Sequence, residues 1–221
     1  MKLKRKKNFV VIGLGRFGGT VAQALSEMGD EVLGIDTDEK LVRQFADTIS
    51  HAVIADAKDK TALQEAGVKN YDTVVIAIGD DLEANILATM NVKYLGIETI
   101  WVKAQSDTHQ RILARIGVDR VIRPERDIGL QIAETLHTPY VSDYTNLGCR
   151  QYLVSFVIRP EIKELTLAKL IHNKDKGFSI VGLMREKAFI AFGDGSFDVQ
   201  EGDRLLAIGS KEELRKLSEL F

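Results

Sequence analysis

Three glycines spaced G-x-G-x-x-G, at positions 13, 15 and 18, follow the apolar run Val10-Val11-Ile12 directly. They precede Thr20-Val21-Ala22-Gln23-Ala24-Leu25, which has a helical pattern. In that setting each glycine has a task in holding a dinucleotide. Gly13 makes the tight turn, Gly15 lets backbone approach a pyrophosphate, and Gly18 lets helix pack on strand. The phosphates would rest on N–H groups at the positive end of the helix dipole. Asp36 closes a second apolar run, Glu31–Asp36, at the distance where an acid takes both ribose hydroxyls and repels a 2′-phosphate. The same aspartate could also be a plain helix cap.

Other polar residues stand where later apolar runs end. Asp56 follows His51-Ala52-Val53-Ile54, where an adenine amino group would lie, and it too could be a loop or cap residue. Gly79 and Asp80 follow the run 73–78, and Gly79 would allow a ligand close to the backbone. Lys103 ends the run 99–103, while Arg16 sits inside the glycine loop. Two cations on the phosphate side point to more negative charge than a diphosphate carries, which makes ATP or ADP as good a candidate as NAD. His109 reads as a surface histidine on the first turn of a helix.

Reaction chemistry is harder to find. There is no Ser-His-Asp set, no His-x-Glu metal pattern and no P-loop lysine motif. The one cysteine, Cys149, excludes an internal disulfide, and no Cys/His pair has zinc-site spacing. A dehydrogenase needs a positioned acid or base in a substrate domain. Here the later part of the chain offers His172 and scattered carboxylates. A nucleotide that is bound but not transformed is the logic of a sensor. The alternatives are a small NAD-dependent oxidoreductase and a redox-sensing regulator of another partner.

The elements that must position these residues alternate. Strands are expected at 10–12, 31–36, 51–54, 73–78, 99–103 and 120–122. Helices are expected between them, and Gly67, Gly96 and Gly117 end three of these. That order predicts an α/β fold with a Rossmann-type, doubly wound parallel sheet of six strands. A helix over 125–136 either covers the sheet or crosses to a partner subunit. The polar stretch from Thr138-Pro139 to Arg150 reads as a linker. Beyond it, strands at 151–158, 178–185, 188–192 and 203–209, a short helix at 166–171, a turn at 193–195 and a closing helix from 211 predict a small α+β lobe. The expected domains are 1–137 and 138–221. The lobe is marginal in core size, so dimerisation or docking is expected.

The 221 residues are 45% hydrophobic and 28% charged, with a net charge of −2. No basic face for nucleic acid is implied. No run approaches the roughly 20 apolar residues that span a bilayer. The basic residues Lys2, Lys4, Arg5, Lys6 and Lys7 read as a solvated lead-in to the first strand, not as a signal peptide. A reducing cytoplasm is the expected location.

Several segments occur in a familiar order: G-L-G-R-F-G-G at 13–19, V-x-x-I-D ending at Asp36, H-A-V-I-A-D-A at 51–57 and V-V-I-A-I-G at 74–79. W-V-K-A-Q follows at 101–105 and I-G-V-D-R-V-I-R-P-E at 116–125. Together they resemble the RCK (regulator of K+ conductance) subunits of the Ktr/Trk potassium uptake systems, most closely the short KtrA-like type. E-G-D-R-L at 201–205 matches the looser pattern of the RCK C-terminal lobe. The resemblance implies a cytosolic gating ring, usually a homo-octamer assembled from dimers, peripheral on the inner face of the membrane. Its partner would be a KtrB/TrkH-like channel subunit. The resemblance places ATP, ADP or NAD(H) on Gly13, Gly15, Arg16, Phe17, Gly18, Asp36, Asp56, Ala57, Ile78, Gly79, Asp80, Lys103, Gln105 and His109. Arg16 would also reach the γ-phosphate in a neighbouring subunit, and Glu125 would stand near a divalent cation bridging two nucleotide sites. One departure concerns cyclic di-AMP. Asn173 stands where relatives with that site carry arginine, and Phe192-Gly193-Asp194 has no proline. Cyclic di-AMP binding is not expected.

Overall fold

The computed structural model describes residues 7–137, 141–158, 177–191 and 199–219. The basic lead-in before Lys7, the helix expected at 166–171, His172, Asn173, Phe192 and the turn at 193–195 lie outside the described residues. The chain divides into two compact units, Met1–Pro124 and Glu125–Phe221. The boundary expected at 137 falls at the end of the helix Pro124–His137, whose residues from Glu125 onward group with the second unit.

Six parallel strands form the first unit: β1 (Asn8–Ile12), β2 (Glu31–Asp36), β3 (His51–Ile54), β4 (Thr73–Ile76), β5 (Thr99–Lys103) and β6 (Arg120–Ile122). Their spatial order is β3-β2-β1-β4-β5-β6. Val10 and Val11 in central β1 are buried on opposite faces, as a strand covered on both sides requires. The connecting helices are α1 (Arg16–Glu27), α2 (Glu39–Phe45), α3 (Lys60–Glu65), α4 (Leu82–Tyr94) and α5 (Asp107–Ile116). Four begin at a residue whose side chain accepts a backbone N–H of the first turn: Asp38, Asp59, Asp81 and Ser106. Each such cap contributes about 1 kcal/mol and fixes where its preceding loop turns. α1 is the exception. Its N-cap is Gly15, and no side chain caps it.

The second unit opens with α6 (Pro124–His137), which has no buried residue; Ile128, Leu130, Ile132 and Leu136 are all exposed. Five antiparallel strands follow: β7 (Val141–Gly148), β8 (Gln151–Val157), β9 (Ser179–Arg185), β10 (Ala188–Ala191) and β11 (Arg204–Gly209). Their order is β10-β9-β11-β8-β7. The closing helix α7 (Lys211–Ser218) starts in a Ser210/Glu213 capping box and buries Leu214 and Leu217 against Phe156, Leu205 and Ala207.

The linker expected up to Arg150 is corrected by β7. This strand lies at the sheet edge and buries only Val141 and Tyr144; its other residues are exposed, so its sequence looks polar throughout. The ring of Tyr144 packs 5.0 Å from that of Tyr152 on β8. The hairpin turn between them uses Cys149 and Arg150, both with positive φ, as a two-residue turn of this hand demands.

Candidate functional site

The strand order reverses between β1 and β4, and ligands of open parallel sheets lie beyond the carboxyl ends at that point. A cleft of about 320 Å³ occupies this position. Its walls are Gly13 and Gly15 after β1, Asp36 and Thr37 at the end of β2, Asp56 to Lys58 after β3, and Ile78 to Asp81 after β4. Of the residues expected at the site, Gly13, Gly15, Asp36, Asp56, Ala57, Ile78, Gly79 and Asp80 thus share one cleft. Arg16, Phe17, Gly18, Lys103, Gln105 and His109 are not among its walls.

The glycines differ in what they are needed for. Gly13 has φ +93°, and a Cβ there would stand 3.0 Å from the Ile78 nitrogen. At Gly18 a Cβ would stand 1.8 Å from the Gly13 carbonyl oxygen and 2.8 Å from Ala77 Cβ, so helix and strand touch through it. Gly19, outside the motif, lets α1 approach Phe45 of α2 in the same way. Gly15 has φ −63°, open to any residue, and a Cβ there would meet nothing within 4 Å. Among the described residues, neither backbone conformation nor packing requires glycine at 15.

Asp36 is not a helix cap, since Asp38 caps α2 by accepting the Lys40 N–H. Asp36 Oδ2 instead accepts the Leu14 N–H at 2.7 Å and Oδ1 the Asp38 N–H at 2.9 Å. These bonds tie the carboxylate to the glycine loop and leave a lone pair on each oxygen for a hydroxyl donor. Asp56 accepts the Lys58 N–H and pairs with Lys58 Nζ at 3.6 Å, both exposed. Arg16 is exposed at the first position of α1. The Lys103 ammonium comes within 3.2 Å of where a Gly79 Cβ would stand and lies 5.8 Å from the Phe17 ring centre. The second cation therefore does lie near the loops after β1 and β4.

His109 is not on the surface. It is 1% exposed, on the first turn of α5. Its Nδ1 accepts the Gln105 N–H at 3.3 Å, which puts the ring proton on Nε2, facing Asn85 Oδ1 at 3.2 Å. Burial holds its pKa below the ordinary imidazole value. Gln105 itself is exposed. Glu125 is exposed in the second unit, and among the described residues no three Asp, Glu, His or Cys groups converge to hold a metal.

The TrkA-N domain family matches residues 9–124. The chain is also 40% identical over 211 residues to Ktr system potassium uptake protein C of Bacillus subtilis, covering 96% of each protein. The chain belongs to the Ktr potassium uptake family. Ktr system potassium uptake protein A of Bacillus subtilis is 35% identical over 213 residues, again covering 96% of each. Among solved structures, the GsuK channel bound to NAD superposes on the whole of this Ktr-family chain with a TM-score of 0.55 at 20% identity. The chain spans 39% of that channel's length, and at this identity the likeness is one of fold.

The family match ends where the first unit of this Ktr-family chain ends, so the cleft lies wholly within the matched part. The cleft walls Thr37, Lys58 and Asp81 are absent from the sequence reading, and so is a buried residue beside the cleft. Asn85 is completely buried on α4, on the face it shares with Ala84, Ala88, Thr89 and Val92. The available signal was a carboxamide set among alanines on an apolar helix face, where a buried polar group must have partners.

Proposed function

We propose that this Ktr-family chain is a cytosolic regulatory subunit that holds an adenine nucleotide, ATP, ADP or NAD(H), in the β1/β4 cleft and gates a membrane potassium transporter accordingly. The observation that carries the reading is Gly15, a glycine that neither backbone conformation nor packing requires, at the uncapped start of α1. Asp36 would take the ribose hydroxyls, and the N–H groups at the start of α1 would take the phosphates. No described helix is long and apolar enough to cross a membrane, which fits a subunit acting on a separate membrane partner. The 40% identity to a Ktr potassium uptake protein supports that partner's class.

Arg16 supports a switching role. It is exposed beside the phosphate end of the cleft, where it is free to meet a γ-phosphate bound by a neighbouring copy in a ring. A ligand shifts a conformational equilibrium only through contacts that differ between states, and the γ-phosphate distinguishes ATP from ADP in that way. Glu125 would stand near a divalent cation that bridges two nucleotide sites of the ring. No reaction is assigned to the cleft: Asp36 and Asp56 both accept backbone N–H groups, and His109 is enclosed.

The test is thermal shift and calorimetric titration with ATP, ADP, NAD and NADH. Gly15→Ala is expected to leave the melting temperature unchanged and weaken every nucleotide at least tenfold. Arg16→Ala is expected to weaken ATP more than ADP in the assembled protein. Absence of any nucleotide response in the parent chain sinks the reading, and steady NADH turnover would replace it with an oxidoreductase.

A further inference from the structure

The three side-chain hydrogen bonds of Asn85 run to three separate parts of the first unit. Its amide donates to the Ile78 carbonyl at 2.8 Å, just past β4, and to the Lys103 carbonyl at 3.1 Å, at the end of β5. Its Oδ1 faces His109 Nε2 on α5, and His109 in turn accepts the N–H of Gln105 from the loop after β5. A carboxamide offers two donors and an acceptor at once. A carboxylate would set acceptors against two carbonyls, and leucine would leave both carbonyls without these donors.

The two carbonyls belong to the loops that form one side of the cleft region. Ile78 and Gly79 are cleft walls, and Lys103 places its ammonium beside Gly79 and near Phe17 on α1. Asp36 and Asp56 stand on the opposite side, after β2 and β3, and Asn85 makes no hydrogen bond to either.

We propose that Asn85, anchored by His109, is a positioning residue that locks the loops after β4 and β5 together and so aims Lys103 at the phosphates of a bound nucleotide. This rests on the nucleotide reading above. The consequence is a split: disturbing Asn85 weakens phosphate recognition and spares adenosine recognition. A charge-assisted hydrogen bond is worth roughly tenfold in affinity, so that is the scale of loss when Lys103 is misaimed.

The experiment is calorimetric titration of the full chain with ADP and, separately, with adenosine, for the parent, Asn85→Asp and His109→Gln. Asn85→Asp is expected to lower ADP affinity about tenfold and adenosine affinity less than twofold. His109→Gln, which keeps both Asn85 donations but loosens their anchor, is expected to lower the ADP-to-adenosine affinity ratio about threefold. A general loss of stability would lower both affinities together, so the ratio separates positioning from folding. If Asn85→Asp does not fold, His109→Gln decides. An unchanged ratio in the folded variants overturns the proposal. A parent chain that binds adenosine but not ADP overturns it too, whereas a parent that binds neither overturns the nucleotide reading and this inference with it.

Discussion

Each unit of the chain buries a polar pair, and the two pairs use opposite chemistry. In the first unit Asn85 and His109 are neutral and almost fully enclosed, and their hydrogen bonds reach the ends of β4 and β5. In the second unit Asp203, 2% exposed, receives two hydrogen bonds from the Arg185 guanidinium, at 2.9 and 2.8 Å, and a third from the Gln200 N–H at 2.8 Å. A neutral pair carries no charge to desolvate, so it can sit deep between helices and hold loops by direction alone. An ion pair needs a solvated end, and the Arg185 side chain keeps 29% of its surface exposed. The lesson is one of placement. Direction-holding neutral groups lie under the cleft, and the charge pair ties β9 to the start of β11 in the other unit.

Breaking the ionic pair gives the largest expected loss. Arg185→Met leaves the Asp203 carboxylate buried with the Gln200 N–H alone among these donors, at a cost of about 3 kcal/mol in chemical denaturation of the second unit. Asn85→Leu comes next, at about 2 kcal/mol, because two carbonyls lose donors and His109 loses its acceptor without any charge being stranded. Equal losses in the two variants would erase the contrast drawn between the pairs.

Acid titration sharpens the comparison further. Burial lowers the His109 pKa, so the unfolded chain takes up a proton near 6.5 while the folded chain resists. The stability tied to His109 is complete above about 6.5 and falls as pH drops below it, by up to about 1.4 kcal/mol per unit. Asp203 is held below its ordinary 3.8, chiefly by the Arg185 hydrogen bonds. Its contribution is complete above that value and is lost as pH falls through the lowered folded value. Denaturation midpoints against pH are expected to show two separate windows; His109→Gln removes the upper one and Arg185→Met the lower. The smallest effect belongs to an exposed pair. Arg43→Ala breaks the i,i+4 contact with Glu39 and costs below about 0.5 kcal/mol, within the scatter of a melting curve.

Much of the first unit was legible because its signals are local. β2, β3, β5 and β6 fall on the runs that hydrophobic patterning picks out, and Gly117 ends α5 in the left-handed conformation expected of it. β7 was not legible, since an edge strand with two buried side chains has the composition of a loop. His109 was misplaced for a related reason. A histidine on the first turn of a polar helix looks solvated until Asn85, 24 positions earlier, is seen to meet its ring.

By itself, then, the sequence determined the parallel sheet, the cleft at its switch point and the family to which the chain belongs. The sheet and the cleft follow from the period of apolar residues and the spacing of glycines within a few turns of chain, and the family from the resemblance of motifs spread over positions 13–125. Only the tertiary structure decided that His109 is enclosed, that Asp36 is bound to the glycine loop, and that Asn85 joins the ends of β4 and β5. Those facts depend on which atoms meet across neighbouring strands, and strands that touch in a doubly wound sheet are separated in sequence by whole helices.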